Sequence, residues 1–349
     1  MGKKIIFLPF INGKRDRSED GGKWKRDLEN DFLNDPDIVD DTAKIERIRG
    51  DKNRKSEYVA NIQVYYKELH AAKAIRQAKW LNKLSTEIEA QFRNRLDALT
   101  KVEKNPKKCI VVAALPEFFW YDINDNNKHA ADDKYYHKPI YENTLYDTLW
   151  AQSNPLAKLT ADFPNLIIFA GTALWKKINQ STHEEDRIYN SMFVYCGGKL
   201  GTAWTKYHVS NIDGLSLPQK FEKVEKDRIN IIPYIEFGGA RFTYDVCLDF
   251  TMGNKAEPLS TTACRKESKI TDVNILVAAG MSIDDKDLNK INSPIILRCD
   301  GLAPPYAQIA LKNASSTGNP GRIEGGSIIG RLDTDTDIPE EEEHNEEGN

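Results

Sequence analysis

Three short segments of the sequence each place one reactive side chain at the end of an apolar, strand-like run. In the first, Glu117 follows the run VVAAL at 111–115 and is flanked by Phe118. A carboxylate that is partly desolvated by such neighbours is a better general base near neutral pH. Taken alone, a glutamate at this position is more typical of an exposed strand end.

The second segment, GTAWTKYH at 201–208, places Lys206 among aromatic side chains. An ammonium group in a pocket of low dielectric stabilises a developing oxyanion at close range. By itself, a lysine at a strand end more often keeps its charged end in water.

The third segment, FTYDVC at 242–247, ends in Cys247. A strand that turns sharply after a nucleophile exposes the sulfur and offers backbone N–H groups to an oxyanion. The alternative for this residue alone is an inert, buried cysteine.

Together, in the order Glu, Lys, Cys, the three segments resemble the nitrilase superfamily of carbon–nitrogen hydrolases. The resemblance is carried by LPEF around Glu117, by NSMFVYCGGKLGTAWTKYHVS at 190–210 and by YDVCLDF around Cys247. In the middle segment a strand begins at Asn190, turns through two glycines, and its partner strand ends in Lys-x-His. The preceding FAGT at 169–172 also fits, and the resemblance covers about 105–330.

The resemblance implies a mechanism in which Glu117 takes the thiol proton of Cys247. The thiolate then attacks an amide carbonyl or a nitrile carbon. Lys206 and the backbone N–H of Leu248 would stabilise the oxyanion, and a thioester would form and be hydrolysed. No metal or organic cofactor is required.

The family often adds a second glutamate that orients the lysine. Glu222 and Glu225 are the candidates here, and Glu222 is favoured because it follows the loop at 217–218 more closely. The sequence Cys-Leu-Asp after the nucleophile favours an amidase-type enzyme, acting on an amide or N-carbamoyl group, over a nitrilase. The alternative function is a nitrilase-fold protein that binds a metabolite or a partner with little catalysis.

A Cys–His–Asp arrangement of Cys247 with His208 and either Asp245 or Asp249 is a further alternative. The resemblance disfavours it, because the histidine of the Lys-x-His motif is structural in the family. Asp249 then serves to tie down the turn after Cys247.

The elements that must position these residues follow from hydrophobic periodicity. An apolar run predicts a first strand at Lys4–Phe10, and helical spacing predicts a helix over 58–104, or two helices if Thr86 and Glu89 form a capping box. Segments 12–57 and 121–150 are polar insertions. The first is expected to be irregular and the second to end in a helix, Ile140–Gln152. Further strands are predicted at Cys109–Leu115, Leu166–Ala170, Ser191–Tyr195, Gly201–Tyr207, Arg241–Leu248, Asn274–Ala279, Ile295–Leu297, Ala307–Leu311 and Ser327–Ile329.

The alternation of strands and helices predicts an α/β protein with one layered core. The resemblance specifies a four-layer αββα sandwich of the nitrilase type, formed by a single domain over 1–331 with an extended N-terminal helix. Residues 332–349 contain nine acidic residues and no lysine or arginine, and we expect them to be a disordered acidic tail.

Composition excludes several other classes. The chain of 349 residues is 40% hydrophobic and 29% charged, as is typical of globular proteins, and has no apolar run near the length of a membrane span. Its basic residues are too diffuse for a nucleic-acid-binding patch. Five widely spaced cysteines without a CxxC pair disfavour disulfides and zinc, and with no convincing signal peptide they indicate a cytoplasmic protein. The expected partners are a small amide-type substrate and a second copy in a homodimer, with 251–263 at the contact.

Overall fold

The computed structural model describes residues 4–10, 23–51, 59–102, 109–121, 123, 140–178, 185–208, 234–251, 258–266, 271–281, 293–301, 306–311, 322–324 and 330–332. Within these residues the protein is a mixed α/β structure with two mixed sheets and six α-helices. In chain order the elements are β1 (Lys4–Pro9), α1 (Lys23–Leu33), α2 (Pro36–Gly50), α3 (Val59–Val102), β2 (Cys109–Leu115), β3 (Ile140–Tyr141), α4 (Glu142–Leu149), α5 (Pro155–Asp162), β4 (Leu166–Ile178), β5 (Glu185–Cys196), β6 (Lys199–Thr205), β7 (Tyr234–Phe237), β8 (Ala240–Val246), α6 (Leu259–Lys266), β9 (Val273–Ala278), β10 (Ile295–Asp300), β11 (Tyr306–Leu311), β12 (Arg322–Glu324) and β13 (Gly330–Leu332).

The first sheet has the strand order β13-β1-β2-β4-β5-β6, with the short β3 paired to β4. β1, β2 and β4 are parallel neighbours, whereas β5 and β6 form an antiparallel hairpin beside them. Gly197 and Gly198 turn this hairpin with φ angles of 57° and 79°, a conformation that glycine adopts without steric cost. The parallel strands are continuous apolar runs because both of their faces are covered.

The second sheet has the order β12-β11-β10-β9-β8-β7. Its centre is again parallel, formed by β8, β9 and β10, and its edges are antiparallel. Both sheets therefore combine a parallel core with antiparallel edges.

The two sheets pack face to face through a shared apolar core. Alternate residues of each central strand point into it, as the two-residue period of a strand requires. The inward residues include Phe7, Val112, Phe169 and Val194 from the first sheet, and Phe242, Tyr244, Val246, Ile275 and Leu297 from the second.

Helices cover the opposite face of the first sheet. The buried stripe of α3 recurs at helical spacing and packs on β1, β2 and β4 together with α4 and α5. Its members are Trp80, Leu81, Leu84, Ile88, Phe92, Leu96 and Leu99. α6 lies on the outer face of the second sheet, where Ser260 contacts Asp245 and Asn274. The described elements thus form an α/β sandwich.

The expectation that 12–57 is irregular is wrong for the part of it that the structure describes, because α1 and α2 occupy most of it. Asp35 caps α2 by accepting a hydrogen bond from the backbone N–H of Asp37, and Pro36 occupies the first turn, where proline is tolerated. Phe32 and Ile38 are buried in the core beside α3. The few apolar residues of this segment thus lie on one buried face of each helix. The many charged residues around them obscure this pattern in the sequence.

Other boundaries also differ from the predictions. α3 is one helix of 44 residues, and within it the Thr86 hydroxyl donates to the carbonyl of Asn82 instead of capping a second helix. The predicted helix at 140–152 begins as β3, which pairs with Trp175 and Lys176 of β4, and is helical only over Glu142–Leu149.

The C-terminal predictions are met only in part by the described residues. Leu332, expected to begin the acidic tail, pairs with Ile5 in β13. The rest of the tail and the strand predicted at 327–329 lie outside the described residues.

Candidate active site

The three residues that the sequence analysis selected lie at the carboxyl ends of strands. Glu117 follows β2 by two residues, Lys206 follows β6 directly, and Cys247 follows β8 directly. β2 and β6 run in the same direction, because two antiparallel pairings separate β4 from β6. The carboxyl ends of β2 and β6 therefore lie at the same edge of the first sheet. The carboxyl end of β9, the parallel neighbour of β8, meets them there, because the carbonyl of Ala278 accepts the N–H of Glu117.

Glu117 and Lys206 form an ion pair in which Lys206 Nζ lies 2.8 Å from Glu117 Oε1. Neither side chain is exposed to solvent. The ammonium group also lies 6.0 Å from the centre of the Phe118 ring. Burying two charges costs desolvation energy, so removing only one partner leaves an uncompensated charge in the interior.

Asn190 of β5 bonds to both members of this pair. Its side-chain Nδ2 donates to Glu117 Oε1 over 2.9 Å, and its backbone carbonyl oxygen accepts the backbone N–H of Lys206 over 2.8 Å. Only 3% of Asn190 is exposed. The carboxylate oxygen Oε1 thus accepts from two side chains, Asn190 and Lys206.

Cys247 begins a short 3-10 turn, Cys247–Phe250, with a left-handed backbone at φ 46°. A residue other than glycine held in this region costs on the order of 1–3 kcal/mol, and such strain is concentrated at functional sites. The sharp turn leaves Cys247 partly exposed, although its strand is buried.

Burial raises the pKa of the Cys247 thiol well above its usual value, and the charge of the neighbouring Glu117 raises it further. Lys206 and the backbone N–H of Ala279, which hydrogen-bonds the sulfur, act in the opposite direction. The Glu117 carboxylate thus lies close enough to the Cys247 thiol to influence its ionisation. The arrangement is a thiol beside a carboxylate, and a carboxylate in this place can serve as a general base toward a thiol.

The turn that carries Glu117 is held from both sheets. The N–H of Glu117 donates to the carbonyl of Ala278 in β9 over 3.3 Å, and the N–H of Phe118 donates to the Thr172 hydroxyl in β4 over 2.8 Å. Gly171 approaches so closely that a Cβ there would lie 2.3 Å from the carbonyl oxygen of Pro116. These contacts fix the backbone on either side of the carboxylate.

Asp249 connects the segment that follows Lys206 to the turn that begins at Cys247. Its buried carboxylate accepts the backbone N–H groups of Tyr207 and His208, and it contacts the His208 ring at Nδ1 over 3.1 Å. Asp245 instead bonds to Ser260 and Asn274 beneath α6. His208 and Asp249 therefore form a contact that joins two chain segments.

Three further residues were predicted from the sequence to support the site, and the structure describes only one of them. Leu248 lies in the turn directly after Cys247, whereas Glu222 and Glu225 lie outside the described residues. Sequence reasoning gave no role to Asn190, although it stands in the segment that carries the family resemblance. It also missed Ala279, which acts through its backbone N–H and so leaves no signal in its residue type.

Three further features belong to the part of the chain that the structure describes. No group of three or more histidine, cysteine, aspartate or glutamate residues there could hold a metal ion. All five cysteines are free. None of the helices described combines the length and apolar character that crossing a membrane requires.

Comparisons with known proteins give only weak similarity. No protein-family model matches the sequence, and no curated protein matches it. A solved glutamine-dependent NAD+ synthetase from Acinetobacter baumannii, in complex with adenosine diphosphate, aligns with a TM-score of 0.42 and 12% identity over 74% of this chain and 43% of its own. A second glutamine-dependent NAD(+) synthetase, from Cytophaga hutchinsonii, aligns with a TM-score of 0.36 and 11% identity. That alignment covers 69% of this chain and 40% of the other. This chain thus spans less than half of either structure, and likeness at this level carries no argument about function.

Proposed function

We propose that the protein is a hydrolase that cleaves a carbon–nitrogen bond other than a peptide bond, in an amide or an N-carbamoyl group. The observation that carries the proposal is the contact among Glu117, Lys206 and Cys247. These residues are far apart in the sequence, and each belongs to a different strand end. The sandwich is proposed to be of the nitrilase type, with four αββα layers.

In the first half of the proposed reaction, Glu117 accepts the thiol proton as Cys247 attacks the carbonyl carbon and a C–S bond forms. Lys206 and the N–H of Leu248 stabilise the oxyanion. When the C–N bond breaks, Glu117 gives its proton to the departing nitrogen, and the acyl group remains as a thioester.

In the second half, Glu117 takes a proton from a water molecule, which attacks the thioester carbonyl. The C–S bond breaks, the carboxylic or carbamic acid leaves, and the proton returns to the sulfur. Lys206 lies buried beside Glu117, so its ammonium group would supply the counter-charge for each oxyanion.

Intact-protein mass spectrometry after exposure to a library of amides and carbamoyl compounds tests the proposal. We expect an acyl adduct that maps to Cys247 and disappears in Cys247→Ala. Cys196→Ala is the matched control, because Cys196 is also partly exposed but lies at the β5–β6 hairpin. In this variant the adduct on Cys247 should persist.

Three other outcomes would reject parts of the proposal. Turnover in Cys247→Ala would exclude this nucleophile. An adduct formed with nitriles but not with amides would exclude the proposed substrate class. A library compound that raises the melting temperature without product or adduct would instead support the alternative, a metabolite-binding protein.

The homodimer and the cytoplasmic location stay predictions. Within the expected contact segment, Ser260 and Thr261 of α6 are buried by their own chain, at 0% and 4% exposure. Sedimentation equilibrium at tens of micromolar protein should show twice the chain mass of 39.7 kDa. A persistent species of one-chain mass would contradict the dimer.

A further inference from the structure

We propose that Asn190 is a positioning residue that fixes which oxygen of Glu117 exchanges the proton with Cys247. This inference rests on the proposed function and deepens it. Asn190 touches neither the sulfur nor any reacting atom in the proposed steps, and it acts through Glu117.

Two side-chain donors converge on Glu117 Oε1. Lys206 Nζ and Asn190 Nδ2 both donate to this one oxygen, at 2.8 and 2.9 Å. A carboxylate oxygen has two lone-pair positions, and two donors fill them. A proton arriving at Oε1 would have to displace one of the donors, so the proton exchanged with the sulfur must be carried by Oε2.

The orientation of the Asn190 amide follows from the same chemistry. With the amide reversed, Oδ1 would face a carboxylate oxygen, and two acceptors would be in contact. Only Nδ2 can satisfy the carboxylate there. The backbone of Asn190 is held as well, since its backbone carbonyl accepts the N–H of Lys206. Asn190 in β5 therefore bonds to both Glu117 and Lys206.

The burial of Asn190 indicates that this amide serves the site more than the stability of the fold. Its Oδ1 is buried and has no hydrogen-bond partner in the described part of the structure. A buried acceptor left in this way costs free energy, whereas an apolar side chain of similar size would avoid the cost. The bond from Nδ2 to Glu117 is the feature that an apolar residue could not supply.

Asn190→Ala and Asn190→Asp test the proposal through the pH dependence of turnover. A hydrogen bond to a charged group contributes more free energy than one between neutral groups, so its loss should lower kcat about 10- to 100-fold. KM should change less than about 3-fold. Because the lost bond favours the ionised carboxylate, the acidic limb of the kcat/KM profile should move to higher pH. Asn190→Asp keeps the shape of the side chain but adds a like charge beside Glu117. It should therefore move the acidic limb to still higher pH.

Asn165→Ala is the matched control, since the Asn165 amide also donates within the first sheet, to the carbonyl of Cys109 over 2.9 Å, but at the opposite end of β2. It should leave the pH profile unchanged. A fall in kcat at every pH with an unmoved acidic limb in both Asn190 variants would show a merely structural role and overturn the proposal.

A second readout separates this proposal from the proposed function. The rate at which iodoacetamide alkylates Cys247, followed by intact mass, depends on Glu117 as base and needs no substrate. Its low-pH inflection should move upward in Asn190→Ala. If the wild-type protein hydrolyses no amide but the inflection moves, the function is wrong and the role of Asn190 stands. If amides are hydrolysed and neither profile moves, the role of Asn190 is wrong and the function stands.

Discussion

The buried ion pair between Glu117 and Lys206 would link the proposed catalysis to the stability of the fold. Both side chains are fully buried, so each compensates part of the charge of the other. Such a pair contributes little net stability compared with apolar residues, but breaking it on one side is expensive. The pair should therefore behave asymmetrically when its members are replaced singly and together.

Lys206→Met should lower the free energy of unfolding by about 3–5 kcal/mol, because it leaves the Glu117 carboxylate buried and unpaired. The double variant Glu117→Gln/Lys206→Met should recover most of that loss, since no charge remains. Turnover should fall by at least about 10²-fold in both variants, because the oxyanion donor is gone. Urea unfolding and single-turnover kinetics measure the two quantities. A single variant as stable as the double would contradict the buried pair.

Asp245 should give the fold a pH dependence that is opposite to that of an ordinary paired carboxylate. Burial raises its pKa from 3.8 to about 7, although hydrogen bonds from Ser260 and Asn274 oppose the shift. Between these values the unfolded chain ionises while the folded chain keeps its proton. Stability from this group is therefore fully present below about pH 4, declines as the pH rises to about 7, and is constant above it.

Asp245→Asn titrates in neither state and should remove this slope. Relative to the variant, the wild-type protein should lose on the order of 4 kcal/mol between pH 4 and pH 8, as the shift in pKa implies. Unfolding by urea at both pH values in each protein measures the difference. Parallel stability curves for the two proteins would show that Asp245 is ionised in the fold.

At the scale of elements, the approach of β4 to the turn after β2 determines where Glu117 lies. Gly171 has φ 65°, and the register between β4 and β5 shifts between Phe169 and Thr172, so the strand is bent at this point. The bend lets Thr172 accept the N–H of Phe118. A side chain at 171 would have to displace the backbone of Pro116.

Gly171→Ala should therefore be strongly destabilising, with roughly 1–2 kcal/mol from the left-handed backbone and roughly 1–3 kcal/mol from overpacking. Gly50→Ala is the control, because nothing lies within 4 Å of a Cβ at the end of α2. It should change stability by less than about 1 kcal/mol. Thermal unfolding measures both, and an equal effect of the two substitutions would contradict the close approach.

The sequence predicts those elements whose buried residues form a regular apolar pattern along the chain. β2 and β4 are visible as apolar runs, and the three strand-end residues are visible because each follows a segment with strand-like composition. β3 and β7 were missed, because two and four residues leave no periodicity to detect. α1 and α2 were missed because their few buried residues, such as Phe32 and Ile38, are diluted by charge. Contacts made by backbone groups, such as the Ala279 N–H at Cys247, exist only once the fold is formed.

At the scale of the whole molecule, α1 and α2 belong to the same core as the sandwich. Phe32 is 3% exposed, and its ring centre lies 5.2 Å from that of Trp80 in α3. Tyr121, which follows the Glu117 turn, hydrogen-bonds Glu29 of α1. The inserted helices thus contact the segment that leads away from the site, and they should unfold together with the rest of the chain.

Phe32→Ala should lower the free energy of unfolding by about 3–5 kcal/mol, because it leaves a cavity in the main core beside α3. Val39→Ala in α2 is the control. Val39 is 50% exposed, so its truncation should cost less than about 0.5 kcal/mol. Urea unfolding should be followed both by far-ultraviolet circular dichroism and by tryptophan fluorescence. If the inserted helices share the core, both signals shift together in Phe32→Ala and keep one transition. A separate early transition, with the main one unmoved, would instead show that α1 and α2 are an attachment that folds on its own.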